Sequence, residues 1–359
     1  MGQSAKHGIQ WWQILLIVVG VLGIGIFVLC TTTGIAAIII ASKIFSPPLT
    51  PYPQGEPVRE PPPVATVDVQ MLRLSLDDYP RVDGSTSAQP LAVLVACKAL
   101  GVSHRWGTKL DGSRWMEPYT TTVAMGPAVG WISGHVVHNG THESYVNLIE
   151  GRTDLVLVAR APSPDEEQLA QAAGVILDVR PVAVDAFIFL LHQDNPLDGL
   201  TLDQIRAIYA GQIVNWQEVG GPDAKINAYQ RNPNSGSQEL MLDLVMQGTA
   251  LAPARSEMIG MSMTGPYNQM HSDPQGIAYS IYYYKEQMAP QANVKVCAVD
   301  GVAPTREHIA DRSYPLSAEV YVVVRRDLPA GSSARVLRDW LLSAEGQAVV
   351  EESGYVPVR

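Results

Sequence analysis

The residues best suited to chemistry lie in one short run after a predicted strand. Arg231 ends that strand, and its planar guanidinium presents a fork of donors that matches a tetrahedral oxyanion. Ser235, Gly236 and Ser237 follow and predict the start of a helix over residues 238–247. Hydroxyls and free backbone N–H groups at a helix start form an anion site. The alternative is a serine that caps the helix and binds no ligand.

A second hydroxyl cluster has the same placement. Ser85, Thr86 and Ser87 follow a predicted strand and precede a predicted apolar helix over residues 91–100. Pro90 fits the first turn of this helix, where the missing N–H costs nothing. The cluster is therefore a second candidate for receiving an anion.

A third helix start follows a strand predicted around residues 136–137. A glycine turn there places Thr141 at the beginning of a helix that runs to residue 150, with Ser144 as a second candidate in its first turn. Residues 154–158 then form a buried strand that ends at Arg160. Two such starts in one chain favour an anion site over simple helix caps, and this helix start is a third candidate.

Histidine and cysteine spacing predicts neither a metal site nor a cofactor. His135, His138 and His142 cluster in sequence, but positions 135 and 138 of a strand face opposite sides. Cys97 lies on a predicted helix and Cys297 on a predicted strand. They either form a disulfide in an extracellular setting or are two buried small hydrophobes, and the second alternative is favoured.

The elements that position these residues form a chain larger than one ordinary domain. It has 359 residues, a net charge of −10 and a pI near 5.3, and without a basic cluster it does not predict a nucleic-acid partner. After residue 66 short strands alternate with helices, which predicts an α/β architecture with mainly parallel sheets.

The N-terminal region has the composition of a membrane anchor. Residues 14–40 are almost wholly apolar, which is long enough to cross a bilayer, and Trp11 and Trp12 fit the interfacial belt. We therefore predict a single-pass anchor over residues 1–45, with its span at about residues 12–40, in the cell membrane. A cleaved signal peptide is the main alternative. The proline-rich residues 46–65 predict an extended linker to an extracytoplasmic domain.

The ordered motifs of residues 66–359 resemble those of substrate-binding proteins of phosphate ABC transporters, a branch of the type II periplasmic binding proteins. In chain order the motifs are residues 84–87, 195–196, 200–205, 209–216, 218–221, 231 with 235–237, 276–279, 300–305, 314–316 and 343–347. No single motif is specific, whereas their conjunction in this order is.

This resemblance implies a two-lobed clamp that holds the anion between the lobes and performs no chemistry. Lobe one would contain residues 66–180 and 298–359, with a final helix over residues 334–351, and lobe two would contain residues 181–297. The ligand contacts that carry over to this chain are Ser85, Thr86, Ser87, Thr141, Arg231, Ser235, Gly236 and Ser237.

Arg160 departs from the resemblance. Phosphate binders of this kind often carry an aspartate near this position, and that aspartate accepts a proton of the bound anion. Here Arg160 would add a second cation to the cleft, and sulfate would then compete better with phosphate. Alternatively Arg160 turns away to pair with Asp165 or Glu166, and Asp83 supplies the acceptor.

Three classes of function follow from these observations. The first is a solute-binding protein that captures inorganic phosphate, or a related oxyanion, for an ABC permease. The second is a sensor or signalling module that uses the same clamp. The third, an enzyme such as a phosphatase, is disfavoured because the sequence shows neither a nucleophile with its base nor a metal-ligand set.

Overall fold

The computed structural model describes residues 72, 74–289 and 293–358. The chain divides into two compact units, Met1–Pro63 and Val64–Arg359, and the described residues belong to the second. The predicted membrane span and the whole proline-rich linker lie outside the described residues. Within the described part of the chain, no helix has the length and apolarity that crossing a membrane requires.

Strands and helices alternate along the second unit. The strands are β1 (Val82–Gly84), β2 (Ser103–Thr108), β3 (Arg114–Tyr119), β4 (Leu155–Val158), β5 (Leu177–His192), β6 (Gly199–Leu200), β7 (Asn227–Ala228), β8 (Gln230–Arg231), β9 (Ile259–Gly260), β10 (Gly276–Ile281), β11 (Val294–Val299), β12 (Ser317–Arg325) and β13 (Val356–Pro357). The α-helices are α1 (Gln89–Ala99), α2 (Gly126–His135), α3 (Thr141–Ile149), α4 (Pro164–Ala172), α5 (Leu202–Tyr209), α6 (Gly236–Leu240), α7 (Gly265–Met270), α8 (Arg306–Ala310), α9 (Ser333–Leu341) and α10 (Ala344–Glu352). Short 3-10 and π-helical turns join some of them, including π-helical turns at Met241–Met246 and Tyr284–Met288.

One mixed nine-stranded sheet forms the centre of the unit, with the order β1-β4-β12-β5-β10-β7 along its main path. β1 pairs with β4 and β10 pairs with β7 in parallel, whereas β12 and β10 run antiparallel to β5. The prediction of an α/β architecture is confirmed. The prediction of mainly parallel sheets is wrong, because β12 returns from the far end of the chain and inserts antiparallel between β4 and β5.

β5 joins the two halves of this sheet. Its first part, residues 177–186, pairs with β12, and its last part pairs with β10 and β11. Residues 182–192 of β5 are all buried, which explains the continuous apolar run in the sequence. The predicted lobe boundary at residue 180 falls inside this strand.

The core around β5 is aromatic. The rings of Phe187, Phe189, Tyr209 and Tyr279 lie with centroids 5.3–6.2 Å apart in tilted and edge-on pairs. Cys97 and Cys297 are both buried and free, which confirms the favoured alternative of two small hydrophobes. Burial raises the pKa of Cys97 and of Cys297 to about 12, so both stay protonated thiols near neutral pH.

Two predicted elements differ from the structure. Instead of a strand around residues 136–137, α2 ends at His135, and Val136 forms a single parallel bridge to Val82. The predicted final helix over residues 334–351 is broken into α9 and α10. Ser343 caps the second of these helices by accepting a hydrogen bond from the N–H of Gly346 at 3.2 Å.

Candidate functional site

A cavity of about 580 Å³ contains all the predicted site residues except Arg160. The residues that line this cavity form two walls. The lining residues within 85–87, 109–115, 138–143 and 159 are its first wall. Those within 231–237, 261–264, 281 and 284 are its second wall. The predicted residues that line it are Ser85, Thr86, Ser87, Thr141, Arg231, Ser235, Gly236 and Ser237. We call the part of the cavity that these residues line the anion end.

The first wall is tied together at the ends of β1 and β4. The Oγ of Ser85 accepts a hydrogen bond from the N–H of Ala159 at 2.9 Å and shares a hydrogen bond with Oγ1 of Thr141 at 2.7 Å. Since β1 and β4 are parallel neighbours, their carboxyl ends meet at one edge of the sheet, and α3 begins there. Ser85 therefore positions Thr141 at the cavity.

The backbone at the start of α3 adds donors to this wall. Gly140 adopts a φ of 94°, which favours glycine, and its N–H bonds the carbonyl of Gly84 at 3.2 Å. The N–H of Ser144 closes the first turn on the carbonyl of Gly140 at 3.0 Å, and the hydroxyl of Ser144 donates to the same carbonyl. Thr141, rather than Ser144, therefore faces the cavity, together with N–H groups of the first helical turn.

Asp83 is a structural carboxylate and does not line the cavity. It is almost fully buried and accepts hydrogen bonds from the N–H groups of Gly84 and Asn139 and from the side-chain amides of Asn139 and Asn147. These contacts fix the end of β1 beside the loop before α3. The alternative in which Asp83 accepts a proton from the ligand is not supported.

Arg231 provides the charge of the second wall. Its side chain is 7% exposed, its Nε donates to the carbonyl of Gly260 at 2.9 Å, and one terminal nitrogen donates to Oγ of Ser237 at 3.3 Å. Among the described residues no carboxylate lies within 4.0 Å of this guanidinium. Burial lowers the pKa of Arg231, although not enough to remove its charge near neutral pH.

The backbone of Arg231 is held as firmly as its side chain. Its N–H donates to the hydroxyl of Tyr279 at 2.9 Å and to Oε1 of Gln238 at 3.2 Å. β8, which contains Arg231, pairs in parallel with β9 at Gly260. The guanidinium is therefore preorganised at the cavity before any ligand arrives.

The helix start after Arg231 touches the opposite wall. Ser235 caps α6 by accepting from the N–H of Gln238 at 3.3 Å, so the predicted capping role of this serine is confirmed. A Cβ placed on Gly236 would lie only 2.5 Å from Oγ1 of Thr141. The two walls are therefore already in close contact at the anion end.

This contact makes Gly236→Ala an informative variant. The backbone of Gly236 is not in the left-handed region, so the effect of alanine would come from its methyl group. We expect the methyl group to push Thr141 away and to weaken anion binding by about 1–3 kcal/mol, the usual cost of overpacking. Titration calorimetry measures this change.

Gly130→Ala is the matched control, because a Cβ on this exposed glycine of α2 meets nothing within 4 Å. This variant should bind as the wild type does. An unchanged affinity in Gly236→Ala would show that the contact between the two walls does not matter for binding.

The structure places Arg160 away from the cavity. This corrects the prediction that Arg160 contacts the ligand. Its terminal nitrogens each donate to an oxygen of Glu166 at 2.7 Å, and one also donates to the carbonyl of Ala161. Glu166 is fully buried and also accepts from the N–H of Ser163 and shares a hydrogen bond with His142. Burial raises the pKa of Glu166, but Arg160 together with the hydrogen bonds from Ser163 and His142 holds that pKa below its usual range. The pair fixes the start of α4.

The three clustered histidines make separate contacts. The ring of His135 stacks on Trp131 at 4.3 Å, that of His138 stacks on Trp115 at 4.4 Å, and His142 contacts Glu166. Across the residues that the structure describes, no group of three or more acidic, cysteine or histidine side chains could hold a metal ion.

The sequence analysis missed the hairpin of β2 and β3, whose tip reaches the cavity. Asp111 and Gly112 form its turn, a dipeptide that is a strong hairpin signal between two strands. The Nζ of Lys109 lies 3.5 Å from the ring centroid of Trp115. We call the part of the cavity lined by Lys109, Asp111, Ser113, Trp115, His138 and Tyr284 the hairpin end.

Comparisons with known proteins agree with this architecture. The model of a family described as a PBP superfamily domain matches residues 107–345. A phosphate-binding protein PstS of Borreliella burgdorferi is 28% identical over 183 residues, which cover 49% of this chain and 64% of that protein, less than two thirds of its length. A phosphate-binding protein PstS of Staphylococcus aureus (strain USA300) is 26% identical over 226 residues, covering 60% of this chain and 67% of that protein.

Solved structures show the same fold. A putative phosphate ABC transporter substrate-binding protein with bound phosphate from Clostridium perfringens matches with a TM-score of 0.55 and 23% identity, covering 77% of this chain and 98% of that one. An ABC-type phosphate transport receptor from Vibrio cholerae matches with a TM-score of 0.54 and 21% identity over the same shares.

Proposed function

The chain belongs to the PBP superfamily, and from that premise we propose that it captures inorganic phosphate, or a similar tetrahedral oxyanion, for an ABC importer. The ligand would lie at the anion end of the cavity. The names of the relatives from Borreliella burgdorferi and Staphylococcus aureus support phosphate as the ligand. The proposed role is binding, not catalysis.

The observation that carries this proposal is the state of Arg231. A buried charge is costly unless it is paired, and among the described residues this guanidinium has neutral partners only. An anion in the cavity would supply the missing counter-charge. The hydroxyls of Thr86, Ser87, Thr141 and Ser237 line the same end and would bind the remaining oxygens.

We propose that the two walls belong to two lobes, residues 66–180 with 298–359 and residues 181–297. Strand β5, which pairs with β12 near its start and with β10 near its end, would be one connection between the lobes. A ligand that contacts both walls binds the closed arrangement preferentially and so shifts the population towards it.

The apolar N-terminal residues 12–40 would anchor this domain to the cell membrane as a single-pass protein, facing the extracytoplasmic side. The proline-rich residues 46–65 would then act as a spacer, and an ABC permease would be the partner that receives the anion.

A thermal-shift panel tests the proposal. The full chain in mild detergent is heated with phosphate, sulfate, arsenate, nitrate or chloride at increasing concentration. A ligand that binds the folded state stabilises it by RT ln(1 + [L]/Kd), so phosphate should raise Tm in proportion to the logarithm of its concentration. Failure of every oxyanion to raise Tm would contradict the proposal.

We also expect sulfate to compete with phosphate. Of the described residues that line the cavity, the carboxylates are Asp111, at the hairpin end, and Glu143, which is exposed and lies 3.7 Å from Arg152. A buried carboxylate at the anion end would repel sulfate, which carries no proton to donate. Because the anion end presents hydroxyls and a guanidinium instead, competition calorimetry should show sulfate displacing phosphate at comparable concentrations.

The variant Asp111→Asn tests whether Asp111 accepts a proton from the bound anion. One oxygen of Asp111 accepts from the N–H and the hydroxyl of Ser113, and the other makes no hydrogen bond with the described residues. If the wild type rejects sulfate and Asp111→Asn accepts it, Asp111 is the proton acceptor and the expected competition is wrong. If both proteins bind sulfate, the anion end lacks such an acceptor.

A further inference from the structure

The volume of the cavity is much larger than that of one inorganic phosphate ion. Its volume of about 580 Å³ lies within the range of about 300–1,000 Å³ that is typical of pockets for drug-sized ligands. The walls already touch where Gly236 meets Thr141. Strand β3 also lies close to the π-helical turn Tyr284–Met288 across the cavity. The walls are therefore already close together at both ends, and this volume lies between them.

The hairpin end of the cavity is built around Trp115. The ring of Trp115 stacks on His138 at 4.4 Å and also carries the ammonium of Lys109 at 3.5 Å from its centroid. The indole N–H of Trp115 donates to the hydroxyl of Ser113. Within the described residues, no carboxylate lies within the 4.0 Å of an ion pair with Lys109. A second cation is thus held at the cavity with donors free for a ligand.

Tyr284 of the second wall lines the hairpin end. Its side chain is 1% exposed, and its hydroxyl has no hydrogen-bond partner among the described residues. Burial raises the pKa of Tyr284, the charge of Asp111 raises it further, and the charge of Arg231 lowers it. Tyr284, Asp111 and Arg231 all line the cavity. A hydroxyl of a ligand in the cavity would give the Tyr284 hydroxyl a hydrogen-bond partner.

On the footing of the proposed function, we propose that the ligand is a phosphate monoester, whose phosphoryl group binds Arg231 and whose hydroxylated organic group fills the hairpin end. Lys109, Tyr284 and the free oxygen of Asp111 would bind hydroxyls of that group. Ser262 and Thr264 line the second wall and add further hydroxyls. This lining suits a sugar phosphate or a polyol phosphate better than an apolar ester.

Competition calorimetry on the full chain in detergent tests this proposal. Inorganic phosphate, glycerol 3-phosphate and glucose 6-phosphate are compared, with glucose as the control without a phosphoryl group. We expect both esters to bind at least as tightly as phosphate and glucose not to bind. Lys109→Met keeps the alkyl stem over Trp115 and should weaken ester binding by about 2-fold to 12-fold, the value of one hydrogen bond, without changing phosphate binding.

Lys295→Met is the matched control, because Lys295 pairs with Asp198 and does not line the cavity. If phosphate binds and neither ester competes, the inference is overturned and the proposed function stands. Equal weakening of phosphate and ester binding in Lys109→Met would also overturn it, since the hairpin end would not then select the organic group. If neither phosphate nor the esters bind, the proposed function itself fails.

Discussion

Replacing Arg231 by alanine should abolish measurable phosphate binding while the fold stays intact. Removal of one partner from a buried charge pair costs about 2–5 kcal/mol, which corresponds to a loss of about 30-fold to several thousand-fold in affinity. Arg231→Lys should also bind weakly, because a lysine ammonium lacks the planar fork of a guanidinium. Calorimetry gives the affinities, and circular dichroism shows whether the variants are folded.

The stability of the ligand-free protein separates a binding role of Arg231 from a structural one. Its positive charge is buried without a carboxylate within ion-pair distance among the described residues, so the charge costs free energy in the empty protein. We therefore expect Arg231→Met, which preserves much of the side-chain volume, to unfold at the same or a higher temperature than the wild type. A lower Tm together with unchanged phosphate affinity in the alanine variant would contradict our assignment of the site.

The anion end could be predicted from sequence because it depends on local patterns. Two of its three segments combine a strand, a short turn and a helix start, whereas the third has an isolated bridge at Val136 in place of the strand. Helix starts of this kind carry hydroxyls and N–H groups wherever the fold places them. The topology then brings them together, since β1 and β4 are neighbours in the sheet and Gly236 meets Thr141 across the cavity. The ligand and the specific contacts remain proposals.

The partner of Arg160 could not be settled from sequence. Both Asp165 and Glu166 are within reach of Arg160 along the chain, and the sequence alone slightly favours a cation in the cleft over either pair. In the structure Glu166 occupies the third position of α4 in a capping box, which points its carboxylate back towards Arg160. Because the charges of Arg160 and Glu166 pair with each other, neither is available to a ligand in the cleft.

The mixed character of the sheet had no local signal. β12 reads as an ordinary apolar strand, and its antiparallel insertion between β4 and β5 depends on contacts more than a hundred residues apart in sequence. The hairpin end of the cavity was missed for a related reason. Its residues come from a β-hairpin, a helix-flanking loop and a π-helical turn that share no motif.

Asp185 is a buried carboxyl group on β5, the strand that joins the two halves of the sheet. It is 3% exposed, and one oxygen accepts from the N–H groups of Ala186 and Tyr283, while the other has no partner in the part of the chain that the structure describes. The ring of Tyr283 stacks on Tyr355, whose hydroxyl donates to the carbonyl of Ser87 at the anion end. Burial raises the pKa of Asp185 to about 7, although its two hydrogen bonds lower it.

This raised pKa predicts that the contribution of Asp185 to stability falls as the pH rises. The unfolded carboxyl titrates near pH 3.9, so between about pH 4 and pH 7 Asp185 is protonated in the native state and ionised in the unfolded state. The contribution of this group to the free energy of unfolding should then decrease across this window by up to about 4 kcal/mol, at 1.36 kcal/mol for each unit of pKa difference. Asp185→Asn keeps the accepting oxygen and removes the charge. The stability advantage of this variant over the wild type should therefore grow from pH 5 to pH 8.

Urea unfolding at both pH values measures this difference. The control is Asp203→Asn, at a position whose carboxylate is 90% exposed. A constant difference between wild type and Asp185→Asn at the two pH values would show that Asp185 is ionised throughout and that its neighbours compensate its burial.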